Sequence, residues 1–131
     1  MANATALNKT SLLPNNPNIE PDLIVDNNNI TTVAFAGTTQ ATAYQIGNTQ
    51  PFIIVSNNTA ANGGILPTAA FKGMVITVYP ALVTNAPLVY PPLGGTINNG
   101  SVNAGVASTA RKAVDYISID DTGLNYVTRG L

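Results

Sequence analysis

The chain contains no histidine, no cysteine and no tryptophan. Without cysteine there is no thiol nucleophile, no disulfide framework and no thiolate metal site; without histidine there is no imidazole ligand or base. Charge is nearly as scarce. Charged residues make up 8% of the sequence, against about 25% in an ordinary soluble protein. A formal net charge of −1 gives no electrostatic basis for binding nucleic acid or an anionic membrane. No apolar run approaches the roughly 18 residues of a membrane helix, and no basic-then-apolar signal segment opens the sequence.

What is present is apolar. Hydrophobic residues account for 45% of the 131, enough to bury a core within one domain. The few charges are unevenly placed: between Asn27 and Ala110 the only one is Lys72. Asn, Thr, Gln and Ser supply most of the polarity instead. The stretch GGILPTAAFKGMVITVYP (63–80) shows the pattern, an apolar run cut into short pieces by Gly and Pro.

Residues 1–29 read as an extended arm. Pro14, Pro17 and Pro21 each remove a backbone donor and push the preceding residue extended. The segment nonetheless keeps Leu12, Leu13, Ile19, Leu23, Ile24 and Val25, which a purely solvating tail would not need. These six are the candidate anchoring residues, for a neighbouring subunit or another protein surface.

Residues 30–131 read as a β domain. Short runs rich in Val, Ile, Thr, Tyr and Phe alternate with Gly, Asn and Pro clusters. Strands are expected within 30–36, 40–46, 51–57, 73–80, 86–91, 95–98, 101–107, 112–119 and 124–128, with one helical turn at 108–114. In the closing hairpin, AVDYISIDDTGLNYVT, Gly123 stands where a type I turn with a G1 bulge needs positive φ. Asp120 and Asp121 suit the turn, and Lys72 suits an exposed turn tip before a strand. This spacing predicts an all-β fold, a compact β-sandwich or barrel.

Catalytic material is thin. Asp115, Asp120 and Asp121 form the one acidic grouping, and a carboxylate hydrolase or an oxygen-ligated cation site would draw on them. Shaping a hairpin turn accounts for them more simply. The sequence therefore predicts a non-enzymatic protein with no cofactor and no metal. The sequons at Asn8, Asn29, Asn57 and Asn99 follow from the abundance of Asn and Thr.

The order GTTQATAYQI, FIIVSN, GGILPTAAFKGMVITVYP, LVYPPLGGTIN and YISIDDTGLNYVTRG resembles a small β domain of tailed-phage virion proteins, over about residues 30–130. Leu66–Pro67, Gly73, Val89–Tyr90–Pro91 and Ile97–Asn98 occupy its motif positions. Tyr126 stands where such domains often carry Trp. The resemblance implies a jelly-roll or tulip-like domain serving as a capsid decoration (cement) protein. It would bind the major capsid protein on the outer surface of the virion head after synthesis in the host cytoplasm. It would act as a homotrimer, with a dimer as the alternative, and without nucleic acid or membrane. The family also occurs in fibres, so a receptor- or glycan-binding domain of a tail or head fibre is the other reading. Tyr44, Tyr79, Tyr90 and Tyr126 would then be the stacking residues.

Overall fold

The computed structural model describes residues 30–56, 62–81 and 86–131. Among the described residues nine strands form two sheets. The first contains β1 (Ile30–Val33), β3 (Phe52–Val55), β5 (Val75–Pro80), β8 (Val114–Ser118) and β9 (Tyr126–Arg129), in the order β1-β3-β5-β8-β9. The second contains β2 (Tyr44–Gln45), β4 (Gly63–Ile65), β6 (Leu88–Tyr90) and β7 (Val106–Ala107), in the order β2-β4-β6-β7. Among the described residues the only helix is the 3-10 turn Gln40–Thr42. The all-β expectation holds at this level.

The topology is mixed. From β1 to β6 the chain alternates between the sheets, so neighbours within each sheet are parallel: β1 with β3, β3 with β5, β2 with β4, β4 with β6. Each pass sets a residue beside its counterpart from the previous pass, as with Ile30, Phe52 and Thr77. Parallel neighbours need long crossovers, and here each crossover is a visit to the other sheet. Antiparallel pairing enters at β7, β8 and β9.

One apolar cluster joins the sheets. Ile53, Val55, Ile76, Val78, Val114, Tyr116 and Tyr126 come from the first sheet and Val89 from the second; Phe35, Ile46, Leu66 and Ile97 come from connections. The period-2 geometry of a strand explains the selection: in Val114–Ser118 alternate residues are buried.

Strand β4 departs from the sequence expectation. No strand is expected at Gly63–Gly64, where glycine interrupts the apolar run, yet the pair opens a central strand. A Cβ on Gly63 would lie 2.6 Å from the Tyr90 ring, and one on Gly64 would lie 2.4 Å from the Phe35 ring. The pair is wedged between two aromatic rings, and only glycine leaves both rings room. Other differences are local. Residues 95–98 give only a bridge from Ile97 to Tyr126, because Asn98 and Asn99 turn away with φ of 55° and 57°. The turn expected at 108–114 is not helical, since Arg111 sits at φ 57°. Residues 40–42 wind into the 3-10 turn, closed by reciprocal Thr39 and Thr42 contacts, before β2 begins. The closing hairpin forms as expected, with Gly123 at φ +73°.

Gly64→Ala should destabilise the fold by about 1–3 kcal/mol, the cost typical of overpacking. A surface change such as Leu93→Ala should stay within about 0.5 kcal/mol. Urea unfolding of the two variants beside the parent measures both.

Candidate functional site

The six expected anchoring residues, Leu12, Leu13, Ile19, Leu23, Ile24 and Val25, lie outside the described residues, as does the whole 1–29 arm. The motif residues of the β domain lie inside them, and all but Gly73, which bonds to Ser118, gather around Tyr126. Tyr126 is fully buried, and its hydroxyl donates to the Pro67 carbonyl at 2.8 Å. Its backbone N–H donates to the Thr96 carbonyl, and its carbonyl accepts from Asn98 N–H. Leu66 N–H donates to the Tyr90 carbonyl, and the Tyr90 hydroxyl donates to the Thr38 carbonyl. Leu66–Pro67, Tyr90, Ile97–Asn98 and Tyr126 therefore form one bonded network across both sheets. Their role is structural. Tyr90 and Tyr126 are buried and cannot stack on an external sugar, which corrects that part of the fibre expectation.

The acidic residues do not assemble a centre. Asp115 lies on β8, where its carboxylate accepts from Thr77 Oγ1 at 2.6 Å and from Arg129 Nη2 at 2.7 Å. The Thr77 hydroxyl, and then the Arg129 guanidinium, hold its carboxyl below the ordinary aspartate range. Asp120 sits in the hairpin turn and accepts from Asn125 Nδ2, Thr122 Oγ1 and Thr122 N–H. Those bonds, the Asn125 one foremost, likewise lower its pKa. Asp121 is exposed. Among the described residues no three acids converge on a point that could hold a metal ion. Asp120 shapes the turn, as the sequence suggested.

Lys72 occupies the exposed turn between Phe71 and Gly73. Phe71 is 63% exposed and stands over a shallow cleft of about 470 Å³, also lined by Asn48, Thr49, Pro51 and Val75.

The larger feature is the outer face of the five-stranded sheet. Residues paired across neighbouring strands share a face, and three rows cross this one. The first is Ile30, Phe52, Thr77, Asp115 and Arg129. The second is Thr32, Ile54 and Tyr79. The third is Val75, Ile117 and Val127. Seven of these eleven are apolar, and all eleven are at least partly exposed. Sequence reading missed this face, although the signal was there. In FIIV and VITVY apolar residues occupy successive positions, and such runs place apolar side chains on both faces of a sheet.

Comparison of the chain with protein-family models, with curated proteins and with solved structures finds no match.

The two buried phenols and Asp115 set opposite pH limits. Burial pushes Tyr116 up to about 12 and Tyr126 up to about 12, with the Ser108 hydroxyl beside Tyr116 working the other way. Unfolded tyrosine ionises near 10, so their contribution is full below about pH 10 and is lost as pH rises through 12. For Tyr116 alone this is roughly 3 kcal/mol. The lowered Asp115 pKa acts in the other direction. Its contribution is full above about pH 4 and is lost as pH falls through the folded-state value. Thermal unfolding across pH should therefore show falling stability above about pH 10 and below about pH 4. Tyr126→Phe should cost about 1 kcal/mol at neutral pH and flatten the alkaline limb. Asp115→Asn should flatten the acid limb.

Proposed function

We propose that the chain is a capsid decoration (cement) protein of a tailed phage. In this reading it binds the outer surface of the head as an oligomer and stabilises the shell. The two-sheet domain is then a sandwich of the tulip-like kind, and residues 1–29 are its anchoring arm. The observation that carries the reading is the convergence of the motif residues. Leu66–Pro67, Tyr90 and Ile97–Asn98, which carry the resemblance in sequence, are joined across the sheets through Tyr126, the residue that stands where such domains often carry Trp. A set of weak motifs that forms a single contact network supports a common architecture better than the same motifs scattered would.

Chemistry supports the same reading. A protein that fastens onto a shell buries surface in its fold and again in its contacts, and each buried unpaired charge costs several kcal/mol. A middle region with Lys72 as its lone charge suits that double burial. The six arm aliphatics could bury about 500 Å², roughly 12 kcal/mol gross. Ordering the arm offsets much of this, so attachment relies on several copies acting together. The fibre reading keeps one supporting observation, the exposed Phe71 beside Asn48 and Thr49. Glycan-array binding that depends on Phe71 would favour it.

Co-sedimentation with undecorated heads tests the proposal. The full chain should pellet with the heads and raise the temperature at which they rupture. A full-length variant with serine at positions 12, 13, 19, 23, 24 and 25 should bind at least tenfold more weakly. A chain that stays in the supernatant at all concentrations defeats the decoration reading. Equal binding by the serine variant moves the attachment surface to the β domain.

A further inference from the structure

Strand β1 ends the five-stranded sheet. One of its edges pairs with β3, and the other pairs with no strand of the described residues. That free edge is uncharged and four residues long. The other sheet ends are guarded: β2 and β7 are two residues long, and β9 carries Arg129. An unguarded edge offers a row of backbone donors and acceptors to any extended segment that reaches it. Ile30 stands at its start and is 58% exposed. Thr31 and Val33 alternate with it as half-buried residues on the core side.

The sequence leading into β1 is DLIVDNNNITTV (22–33). An aliphatic run, four turn-forming residues and β1 follow one another, which is the pattern of a hairpin. We propose that Leu23–Val25 pairs antiparallel with the free edge of β1 through the loop 26–29, so that this part of the arm clasps its own domain. The inference does not depend on the decoration reading. Where that reading holds, Leu12, Leu13 and Ile19 remain as the part of the arm that reaches the shell.

Loop, register and edge chemistry select this segment over a strand from outside. A loop of four lies within the two to five residues usual for hairpins. Asp26, Asn27, Asn28 and Asn29 are residue types that tolerate left-handed backbone. The described turns show this chain using Asn in that way, with Asn98, Asn99 and Asn103 at φ of 55°, 57° and 64°. A four-residue loop sets Val25 opposite Ile30, Ile24 opposite Thr31 and Leu23 opposite Thr32. Val25 and Leu23 then join Ile30 and Thr32 on the outer face, in the rows of Phe52 and Ile54. Ile24 joins the half-buried Thr31 on the core side. Pro21 and Asp22 come next, and proline and charge are the devices that stop further pairing at a sheet edge. The new edge is thus guarded as the others are. The tether itself favours this segment, because a short linker holds it near β1 at an effective millimolar concentration.

Nuclear Overhauser contacts in the full chain test this. Backbone contacts should link Val25 with Ile30 and Leu23 with Thr32. In a mixture of isotope-labelled and unlabelled chains they should stay within one chain. A variant carrying Leu23→Ser, Ile24→Ser and Val25→Ser should lose them, and amide exchange along β1 should quicken by about tenfold or more. A variant carrying Leu12→Ser, Leu13→Ser and Ile19→Ser should keep both. Circular dichroism checks that each variant is folded, and the contacts in the parent decide the matter where one is not. A parent without contacts between Leu23–Val25 and β1 overturns the proposal. So do contacts made between chains, or contacts that vanish in the variant at 12, 13 and 19. Head binding is read separately. A chain that closes the hairpin yet ignores heads keeps this inference and removes the decoration reading, and a chain that decorates heads without the hairpin does the reverse.

Discussion

The fold depends on two aromatic rings closing on the paired glycines of strand β4. Tyr90 lies against Gly63 and Phe35 lies against Gly64, each at a distance that excludes even a methyl group. This close approach lets β4 sit between β2 and β6. The rings also reach outward. Phe35 stacks with Tyr44 at 6.0 Å between centroids, and Tyr90 bonds to Thr38. The two glycines therefore fix the segment before β2 as well as the two strands beside β4. A glycine in a strand normally weakens it. Here the loss is offset by aromatic area brought into the core.

A second constraint is how a chain so poor in charge satisfies its backbone. Amide side chains do much of this, because each carries both donors and an acceptor. Asn103 Oδ1 accepts from Gly94 N–H and Gln40 Nε2. Asn125 bridges Thr96 and Asp120. Asn98 exchanges bonds with Thr128 in both directions. Gln50 accepts from Gly47 N–H and donates to the Tyr44 hydroxyl. The abundance of Asn and Gln is thus a structural device that pins loops to strands without desolvating ions.

Much of this fold was legible because strands and turns are local. Alternation marked β8, turn chemistry marked Gly123 between β8 and β9, and apolar runs marked β3 and β5. What failed was non-local. Gly63–Gly64 carries no strand propensity, and only Tyr90 and Phe35, distant in sequence, make it a strand. Parallel pairing has no short-range turn to announce it, so a sandwich or barrel of unspecified connection was as far as spacing could lead. The candidate site was less legible still. Tyr90 and Tyr126 looked like available stacking residues, but strand alternation alone does not say which face is inward. The outer apolar face was written in FIIV and VITVY, but a run apolar on both sides looks the same whether its second face is covered by the same chain or by another.

The sheet edges show where the molecule is guarded and where it is open. Exposed strand edges invite pairing with other chains, and short edge strands limit that. Both edges of the second sheet, β2 and β7, are two residues long. The first sheet ends in β9, which carries the exposed Arg129, and in β1, four residues long with no charge. Charge and brevity thus protect three of the four edges. Among the described residues the one left without either is β1, which borders the apolar outer face and contributes Ile30 to it. Among the described residues, this placement of the few charges leaves the β1 side of the domain the most open to protein contact. In the decoration reading proposed above, that side would be the occupied one and the rest would be left to solvent.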